Sequence, residues 1–307
     1  MKTVFFGTPE WAVPSLQALI ESAAEVSGVV TNPDRPAGRG MDFQATPVKR
    51  AAQAAGIEVL QPATARDEEF HDQIRALAPD VAVVVAYGKI LPGSLLEIPR
   101  KGFVNVHFSL LPAYRGAAPV QHVIIDGHDE TGISIMVLTE GMDEGPVLAE
   151  ERVPIAADDT AGSLGDKMAT IGARLLVPAL EGYVDGTLQP VEQDHDRATY
   201  APKLDTEAAR IEWSDPAARI RNLVRGLNPA PGAWTMLDDA RLKVYAGEVV
   251  GETGLKPGDL GVRGTDLLVG TGDDALSLTD VQMAGKKRMG GAELARGLRL
   301  AGGERLQ

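Results

Sequence analysis

The stretch Val81-Ala-Val-Val-Val-Ala86 is apolar and mostly β-branched, with no polar residue alternating through it. Strands with this composition are buried on both faces, as in parallel sheets that helices cover on both sides. Similar short strand candidates alternate with helical segments through residue 140. They lie at Thr3–Gly7, Val26–Thr31, Phe103–Phe108 and Ile133–Leu138. This alternation predicts a doubly wound, mostly parallel, Rossmann-like α/β sheet.

Helical segments separate the predicted strands. The clearest begins at Pro47, because Thr46 is a candidate N-cap and proline is favoured at the first helical position. A longer helix is expected from Asp159 or Thr160 to about Leu180, with apolar residues at helical spacing. The other helical segments are Trp11–Ser22 and Glu68–Ala78.

Length and composition predict two domains. A chain of 307 residues exceeds what one core usually organises, and 44% hydrophobic residues indicate a globular protein. We expect an α/β domain over residues 1–185, a linker poor in apolar residues over 186–204 and a second domain over 205–307. In the last region a helix at Ala217–Leu227 precedes short strands with turn signals, a pattern typical of a small β-barrel. These strands are Ala233–Leu237, Arg241–Val250, Asp259–Val262, Leu267–Val269 and Leu276–Val281.

Charge and cysteine content narrow the function classes. Residues 205–307 hold 14 Lys and Arg against 15 Asp and Glu, so nearly all of the net charge of −13 belongs to residues 1–204. RNA binding requires a local basic patch rather than a positive total, so a specific RNA contact is not excluded. The absence of cysteine excludes disulfides, a cysteine nucleophile and thiolate metal sites. Without a signal sequence or an apolar run of about 20 residues, we expect a cytoplasmic protein with no membrane partner.

Three polar side chains are candidates for catalysis. Asn105 and His107 are two residues apart in a predicted strand and therefore share a face. Asp143 follows the next strand in a loop bracketed by Gly141 and Gly145. An amide and an imidazole can stabilise an oxyanion, and a carboxylate can orient the imidazole and handle protons, which suits acyl transfer. Each residue alone is more often structural, since an Asp among glycines usually forms a turn.

Other segments exclude some sites and suggest others. Gly7-Thr-Pro-Glu10 has one glycine where a dinucleotide-binding protein has three, so a nicotinamide or flavin site is not expected. His122 and His128 lack a carboxylate-rich pattern, and no metal site is predicted. The loop Asn32–Thr46 has no helical or strand periodicity and is either functional or a plain surface loop. Lys286-Lys287-Arg288 is either a solvated turn or a phosphate contact.

Several motifs together resemble a known family. Asn105-x-His-x-Ser-Leu-Leu-Pro-x-x-Arg-Gly-x-x-Pro119, followed by Thr131-Gly132 and Asp143-x-Gly145, resembles the signature of the 10-formyltetrahydrofolate-dependent formyltransferases. Within that family, three segments resemble the methionyl-tRNA formyltransferases. They are Phe6–Pro14, Thr31–Gly40 and Ala284–Met289.

The resemblance implies an activity and a set of residue roles. The formyl group of 10-formyltetrahydrofolate, a co-substrate, would pass directly to the amino group of initiator methionyl-tRNA, without a metal. Asn105 would bind the formyl oxygen, His107 would stabilise its growing charge, and Asp143 would orient His107 and relay protons. The folate would contact Ile90, Leu91, Ser109, Leu110, Leu111 and Pro112. The tRNA would contact Arg35, Arg39, Lys286, Lys287 and Arg288.

The resemblance also implies that the second domain is an OB-like barrel that binds tRNA, and a monomer is expected. The loop holding Arg39 would enter the acceptor stem, although Met41-Asp-Phe-Gln44 is less basic than in many relatives. Arg115 belongs to the signature, with no chemical step assigned. Two alternatives remain: formyl transfer to a small amine, such as glycinamide ribonucleotide or an amino-sugar nucleotide, and a noncatalytic tRNA-binding protein. A separate C-terminal domain argues against the first, and the intact polar triad against the second.

Overall fold

The computed structural model describes residues 1–37, 42–298 and 304–307. The chain forms two compact units. The first contains Met1–Pro119, Glu130–Pro154 and Gly165–Pro202. The second contains Val120–Asp129, Ile155–Leu164 and Lys203–Gln307, so two short segments that precede Lys203 belong to it.

A mostly parallel sheet organises the first unit. Its strands are β1 (Lys2–Gly7), β2 (Glu25–Val30), β3 (Arg35–Ala37), β4 (Asp42–Gln44), β5 (Val59–Leu60), β6 (Val81–Val85), β7 (Phe103–His107), β8 (Glu130–Val137) and β9 (Val147–Pro154). Seven of them form one sheet in the order β5-β2-β1-β6-β7-β8-β9. The pairs from β5 to β7 are parallel, and β8 and β9 are added antiparallel. Every residue of β6 is buried, which confirms the prediction from its unbroken apolar run.

Most helices follow the predicted segments closely, whereas two short ones, Gly93–Leu96 and Gly291–Leu298, were not predicted. They are α1 (Val13–Glu21), α2 (Pro47–Ala54), α3 (Glu68–Leu77), α4 (Gly93–Leu96), α5 (Pro119–Ile125), α6 (Ala161–Asp185), α7 (Ala217–Gly226) and α8 (Gly291–Leu298). The hydroxyl of Thr46 accepts a hydrogen bond from the Lys49 amide at 3.1 Å, which confirms Thr46 as the N-cap of α2. Residue Ala78 ends α3 in a left-handed conformation just before Pro79. None of the helices in the described ranges is both long and apolar enough to cross a membrane.

Several elements of the first unit, including β5 and α4, were not predicted from the sequence. The loop Asn32–Thr46, predicted to lack regular structure, contains an antiparallel hairpin of β3 and β4 with Arg35 opposite Gln44. Strands of three residues are too short to show a period of two, which is why the pattern gave no signal. Strand β9 was also missed, although it partly alternates between buried and accessible residues.

Aromatic packing ties together the strands that carry the candidate site. The ring of Phe6 on β1 meets Tyr87, which follows β6, and Phe103 on β7, at centroid distances of 5.5 and 5.1 Å. Both pairs are edge-to-face, a favourable geometry for aromatic rings. All three residues are almost completely buried. The start of β7 and the segment that follows β6 therefore rest on a close-packed core.

The second unit contains an antiparallel sheet. Its strands are β10 (Ala233–Leu237), β11 (Ala240–Val250), β12 (Leu260–Arg263), β13 (Asp266–Gly270), β14 (Ala275–Met283) and β15 (Met289–Gly290). The order is β10-β11-β14-β13-β12, with β15 paired to β14. All five predicted strands are present. No ladder joins β10 to β12 in the described residues, and Arg305 and Leu306 make only single bridges to Asp259 and Leu237. The OB-like barrel therefore stays a prediction.

Candidate active site

Strand β7 presents two of the candidate catalytic side chains. Asn105 and His107 are two residues apart and lie on the same face of the sheet. His107 is 5% exposed, whereas Asn105 is partly accessible. Within the described part of the chain, no hydrogen bond is found for the Asn105 side-chain amide. It can therefore bind a ligand without first losing a protein partner.

The imidazole of His107 lies between two oxygens. Its Nε2 is 3.0 Å from the carbonyl oxygen of Tyr114, and because a carbonyl only accepts, Nε2 carries the proton. Its Nδ1 is 3.7 Å from Oδ2 of Asp143. An imidazolium, which has a donor on each nitrogen, matches both neighbours. The Tyr114 carbonyl and the Asp143 carboxylate thus face opposite nitrogens of the imidazole.

A loop, rather than a strand end, brings Asp143 to His107. Strand β8 is antiparallel to β7, so His107 pairs with Ser134, and Val137 pairs with Val104 near the start of β7. The loop after Val137 therefore begins beside the amino end of β7, away from His107, and folds back toward the carboxyl end. Asp143 and His107 are therefore not brought together by a common strand edge. Their closeness comes from the loop.

Local backbone geometry holds the carboxylate. Asp143 has a left-handed φ of +50°, and its Oδ2 accepts a hydrogen bond of 2.8 Å from the Gly116 amide. Gly116 has a φ of +121°, and an added Cβ would lie 2.7 Å from the carbonyl oxygen of Ala201. Glycine is therefore required at this position for both conformation and space. The signature residue Gly116 thus places an amide donor on Asp143.

Arg115, to which the sequence assigned no role, is buried beside the site. It is 2% exposed, and its Nε and Nη2 donate to Oε1 of Gln193 at 3.1 and 2.7 Å. Its Nη2 also lies 3.2 Å from Nδ1 of His195, which must accept because a guanidinium only donates. Sequence reasoning missed Gln193, because a single glutamine in the predicted linker 186–204 carries no pattern.

The candidate folate residues fall into two groups. Ile90 is 81% exposed, while Leu91 packs on the core of the first unit. Ser109 and Leu111 are buried: the Ser109 hydroxyl donates to the Ala113 carbonyl at 2.6 Å, and the Leu111 amide donates to the Ser134 hydroxyl at 3.0 Å. Leu110 and Pro112 are partly buried. Hydrogen bonds between serine hydroxyls and the main chain therefore fix the Ser109–Pro112 turn, and Ile90 offers accessible apolar surface.

A groove of about 340 Å³ opens beside this turn. The groove is lined by Leu111 and Pro112, by residues 147–150 of β9 and by the segment 191–194. Glu150 reaches into the same layer, since its Oε1 accepts from the Ser134 hydroxyl at 2.8 Å.

Burial shifts the pKa values of Tyr87 and Lys89, which follow β6. Burial raises the pKa of Tyr87 to about 12, so the phenol stays neutral. Burial, and then the charge of Arg35, lower the pKa of Lys89, whose ammonium donates to the carbonyls of Pro62 and Ala63 at 2.8 and 3.0 Å. Within the described ranges, no group of three or more His, Asp or Glu side chains could hold a metal ion.

The candidate tRNA contacts differ in their exposure and in whether their charges are already paired within the protein. Arg39 lies outside the described residues. Arg35, Lys286 and Lys287 are exposed. Arg288 stacks on the Tyr245 ring at 3.3 Å from its centroid, and its Nε is 3.7 Å from Oδ2 of Asp280. Within the cluster Lys286–Arg288, only Arg288 has an ion pair among the described residues, so the two lysines are the charges most available to a phosphate.

The sequence is similar to known proteins along its whole length. The chain matches the family described as formyl transferase over residues 1–180, and the formyl transferase C-terminal domain over residues 203–299. A methionyl-tRNA formyltransferase of Streptomyces griseus is 51% identical and covers 100% of this chain and 99% of the relative. One of Streptomyces avermitilis is 50% identical with the same coverage of 100% and 99%.

A solved structure shares the fold. The N-formyltransferase from Helicobacter canadensis, in complex with folinic acid and dTDP-3-aminofucose, has a TM-score of 0.68 at 17% identity and covers 91% of this chain and 98% of its own. The seven-stranded sheet and the antiparallel second unit are thus the architecture of a formyltransferase. With half of its residues identical along the whole length of its relatives, this chain belongs to the methionyl-tRNA formyltransferase family.

Proposed function

We propose that this chain transfers the formyl group of 10-formyltetrahydrofolate to the α-amino group of initiator methionyl-tRNA, in the cytoplasm, where translation begins. Relatives that carry the name of this activity match the whole chain. The observation that carries the proposal is the position of the Asp143 carboxylate, 3.7 Å from Nδ1 of a buried His107 that shares a strand face with Asn105.

The proposed reaction needs no covalent enzyme intermediate. The neutral amine attacks the formyl carbon, and the carbonyl oxygen becomes negatively charged. The bond to N10 then breaks, one proton leaves the attacking nitrogen, and N10 receives one. An oxyanion donor, a nearby positive charge and a proton relay are therefore sufficient.

The three candidate residues supply these functions. The unpartnered amide of Asn105 donates a hydrogen bond to the formyl oxygen as its charge grows. His107, between the Tyr114 carbonyl and the Asp143 carboxylate, holds positive charge on the same face. In a buried site this charge stabilises the oxyanion through space more strongly than it would in water. Asp143 keeps the imidazole oriented and passes the proton on through water.

Binding of the two substrates is divided between groups of residues. The accessible side chain of Ile90, with Leu91 and the Ser109–Pro112 turn, is the proposed folate contact. Lys286 and Lys287 in the second unit, and Arg35 and Arg39 in the first, are the proposed phosphate contacts. Local cations of this kind allow an acidic protein to bind RNA.

A parallel formylation assay tests the proposal. The purified chain is given 10-formyltetrahydrofolate together with initiator methionyl-tRNA, elongator methionyl-tRNA or glycinamide ribonucleotide. We expect efficient product formation only with the initiator tRNA, because a separate C-terminal domain can bind a tRNA but is not needed to bind a small amine. Preference for glycinamide ribonucleotide would overturn the proposed substrate, and no formylation of any amine would overturn the activity.

A further inference from the structure

The side chain of Gln193 makes every hydrogen bond available to its amide plane. Its Oε1 accepts from Nε and Nη2 of Arg115 at 3.1 and 2.7 Å. Its Nε2 donates to the main-chain carbonyls of Asp143 at 2.9 Å and Gly145 at 2.7 Å. The reversed amide would face its NH₂ toward a guanidinium and its oxygen toward two carbonyls, so the partners allow one orientation only.

These bonds hold the turn that carries the Asp143 carboxylate. The φ of +50° at Asp143 is left-handed, a conformation that aspartate tolerates better than most residues, and the bonds from Gln193 to the carbonyls of Asp143 and Gly145 hold it in place. On the other side of the turn, Gly145 packs closely against Val137, since an added Cβ would lie 1.9 Å from the Val137 carbonyl oxygen. Gln193 therefore fixes the main chain of the turn, while the Gly116 amide fixes the carboxylate.

Arg115 in turn fixes Gln193. The arginine is 2% exposed, and no ion pair with an acidic side chain is found for it in the described part of the chain. Its main chain is held on both sides, since its amide donates to the Thr199 carbonyl at 2.9 Å and its carbonyl accepts from the Ala201 amide at 2.8 Å. A buried guanidinium with neutral partners is costly to place, and this one donates to the Gln193 side-chain oxygen and to Nδ1 of His195.

We propose that Gln193 is a positioning residue for formyl transfer, which acts through Asp143 and is oriented by Arg115. The inference rests on the proposed function, because it assumes that the Asp143 carboxylate takes part in the reaction. Gln193 binds the main chain of the Asp143 turn rather than the reacting groups, so its loss changes the rate of the chemical step more than the binding of either substrate.

The substitution Gln193→Glu tests this role with almost no change in volume. The new carboxylate gains an ion pair with Arg115 but turns an oxygen toward the Asp143 and Gly145 carbonyls, where a donor is needed. A displacement of about 1 Å at a reacting group can cost about 10² in rate, so we expect kcat to fall by about 10- to 100-fold. The melting temperature and both KM values should change little.

The matched control is Gln189→Glu, which adds the same charge four residues earlier. Gln189 is exposed, and its amide donates to the Gly186 carbonyl at 2.8 Å. We expect wild-type kinetics for it. A loss of kcat in Gln189→Glu equal to that in Gln193→Glu would overturn the proposal, because added charge would then explain both.

A double substitution separates positioning from general support of the fold. Asparagine tolerates a left-handed φ, so Asp143→Asn removes the carboxylate charge with the turn retained. If Gln193 acts through that carboxylate, Gln193→Glu lowers kcat little further in the Asp143→Asn protein. Full multiplication of the two losses would show independent action and overturn the proposal.

Hydrogen exchange of the substrate-free protein supplies a readout that does not depend on activity. We expect faster exchange in peptides containing Gly116 and the Asp143 turn for Gln193→Glu, but not for Gln189→Glu. Unchanged exchange with a normal kcat would refute the positioning role. If the wild-type chain formylated no tRNA, the proposed function would fail, whereas the exchange result would still decide whether Gln193 holds the turn.

Discussion

Removing one charge from the candidate site, with Asp143→Asn, is the most direct test of its electrostatics. The variant keeps the side-chain shape and tolerates the left-handed φ of +50° at this position. The amide oxygen of the asparagine can still accept the hydrogen bond from Gly116. What disappears is the negative charge that faces Nδ1 of His107 at 3.7 Å.

The size of the effect follows from this separation. Two unit charges 3.7 Å apart attract each other by about 4 kcal/mol at an effective dielectric constant of about 20. Screening by bulk water is limited, because the His107 and Asp143 side chains are only 5% and 17% exposed. If His107 is cationic in the transition state, a loss approaching this value lowers kcat by about 10² to 10³, since each factor of ten needs about 1.4 kcal/mol.

Single-turnover formylation, with enzyme in excess over initiator methionyl-tRNA and saturating 10-formyltetrahydrofolate, measures the chemical step. Glu144→Gln is the control, because it removes the same charge from an exposed neighbour in the same loop. A fall of less than about tenfold in Asp143→Asn would refute the reasoning, since the barrier would have changed by less than about 1.4 kcal/mol. A similar fall in Glu144→Gln would show that the net charge of the loop matters rather than the contact with His107.

Three further predictions concern catalysis, RNA binding and stability. Asn105→Ala should lower kcat by about 10² to 10³, the usual cost of losing an oxyanion donor, and single-turnover rates that match the wild type would remove its proposed role. Replacing Lys286 and Lys287 by Gln should reduce the slope of log K for tRNA against log salt by about 0.7 to 0.9 for each phosphate that the variant no longer neutralises. Arg288→Gln should change the slope less, because Arg288 is already paired with Asp280. An unchanged slope in the lysine variant would show that the two lysines lie in a solvated turn and do not contact phosphates. A hydrogen bond from the Lys2 amide, and then the Arg100 guanidinium, lower the pKa of Asp80. Because the folded-state pKa is the lower one, this stabilisation is present above about pH 4 and is lost as pH falls further, so thermal melts at decreasing pH should show a smaller acid loss of stability in Asp80→Asn than in the wild type.

The sequence determined the elements that depend on local pattern. The apolar run at Val81–Val85 specified a buried parallel strand, because a residue exposed on either face would have introduced polar alternation. Thr46 specified the start of α2, because its hydroxyl satisfies an amide that the helix itself leaves free. Five strands of the second unit were predicted from short strand-like runs separated by turn signals. The spacing of Asn105 and His107 placed them on one face through the two-residue period of a strand.

The tertiary structure alone decided how these elements meet. The antiparallel addition of β8 means that only a returning loop can bring Asp143 to His107, and strand direction is set by long-range pairing rather than by composition. The bonds of Gln193 join residues 78 positions away at Arg115 and 50 positions away at Asp143, so no local pattern marks them. The hydrophobic periodicity of a sequence indicates which residues of a helix or strand are buried. The partners of a buried polar group depend on which distant segments the fold brings together, and the hydrogen bonds that orient this site arise at that level.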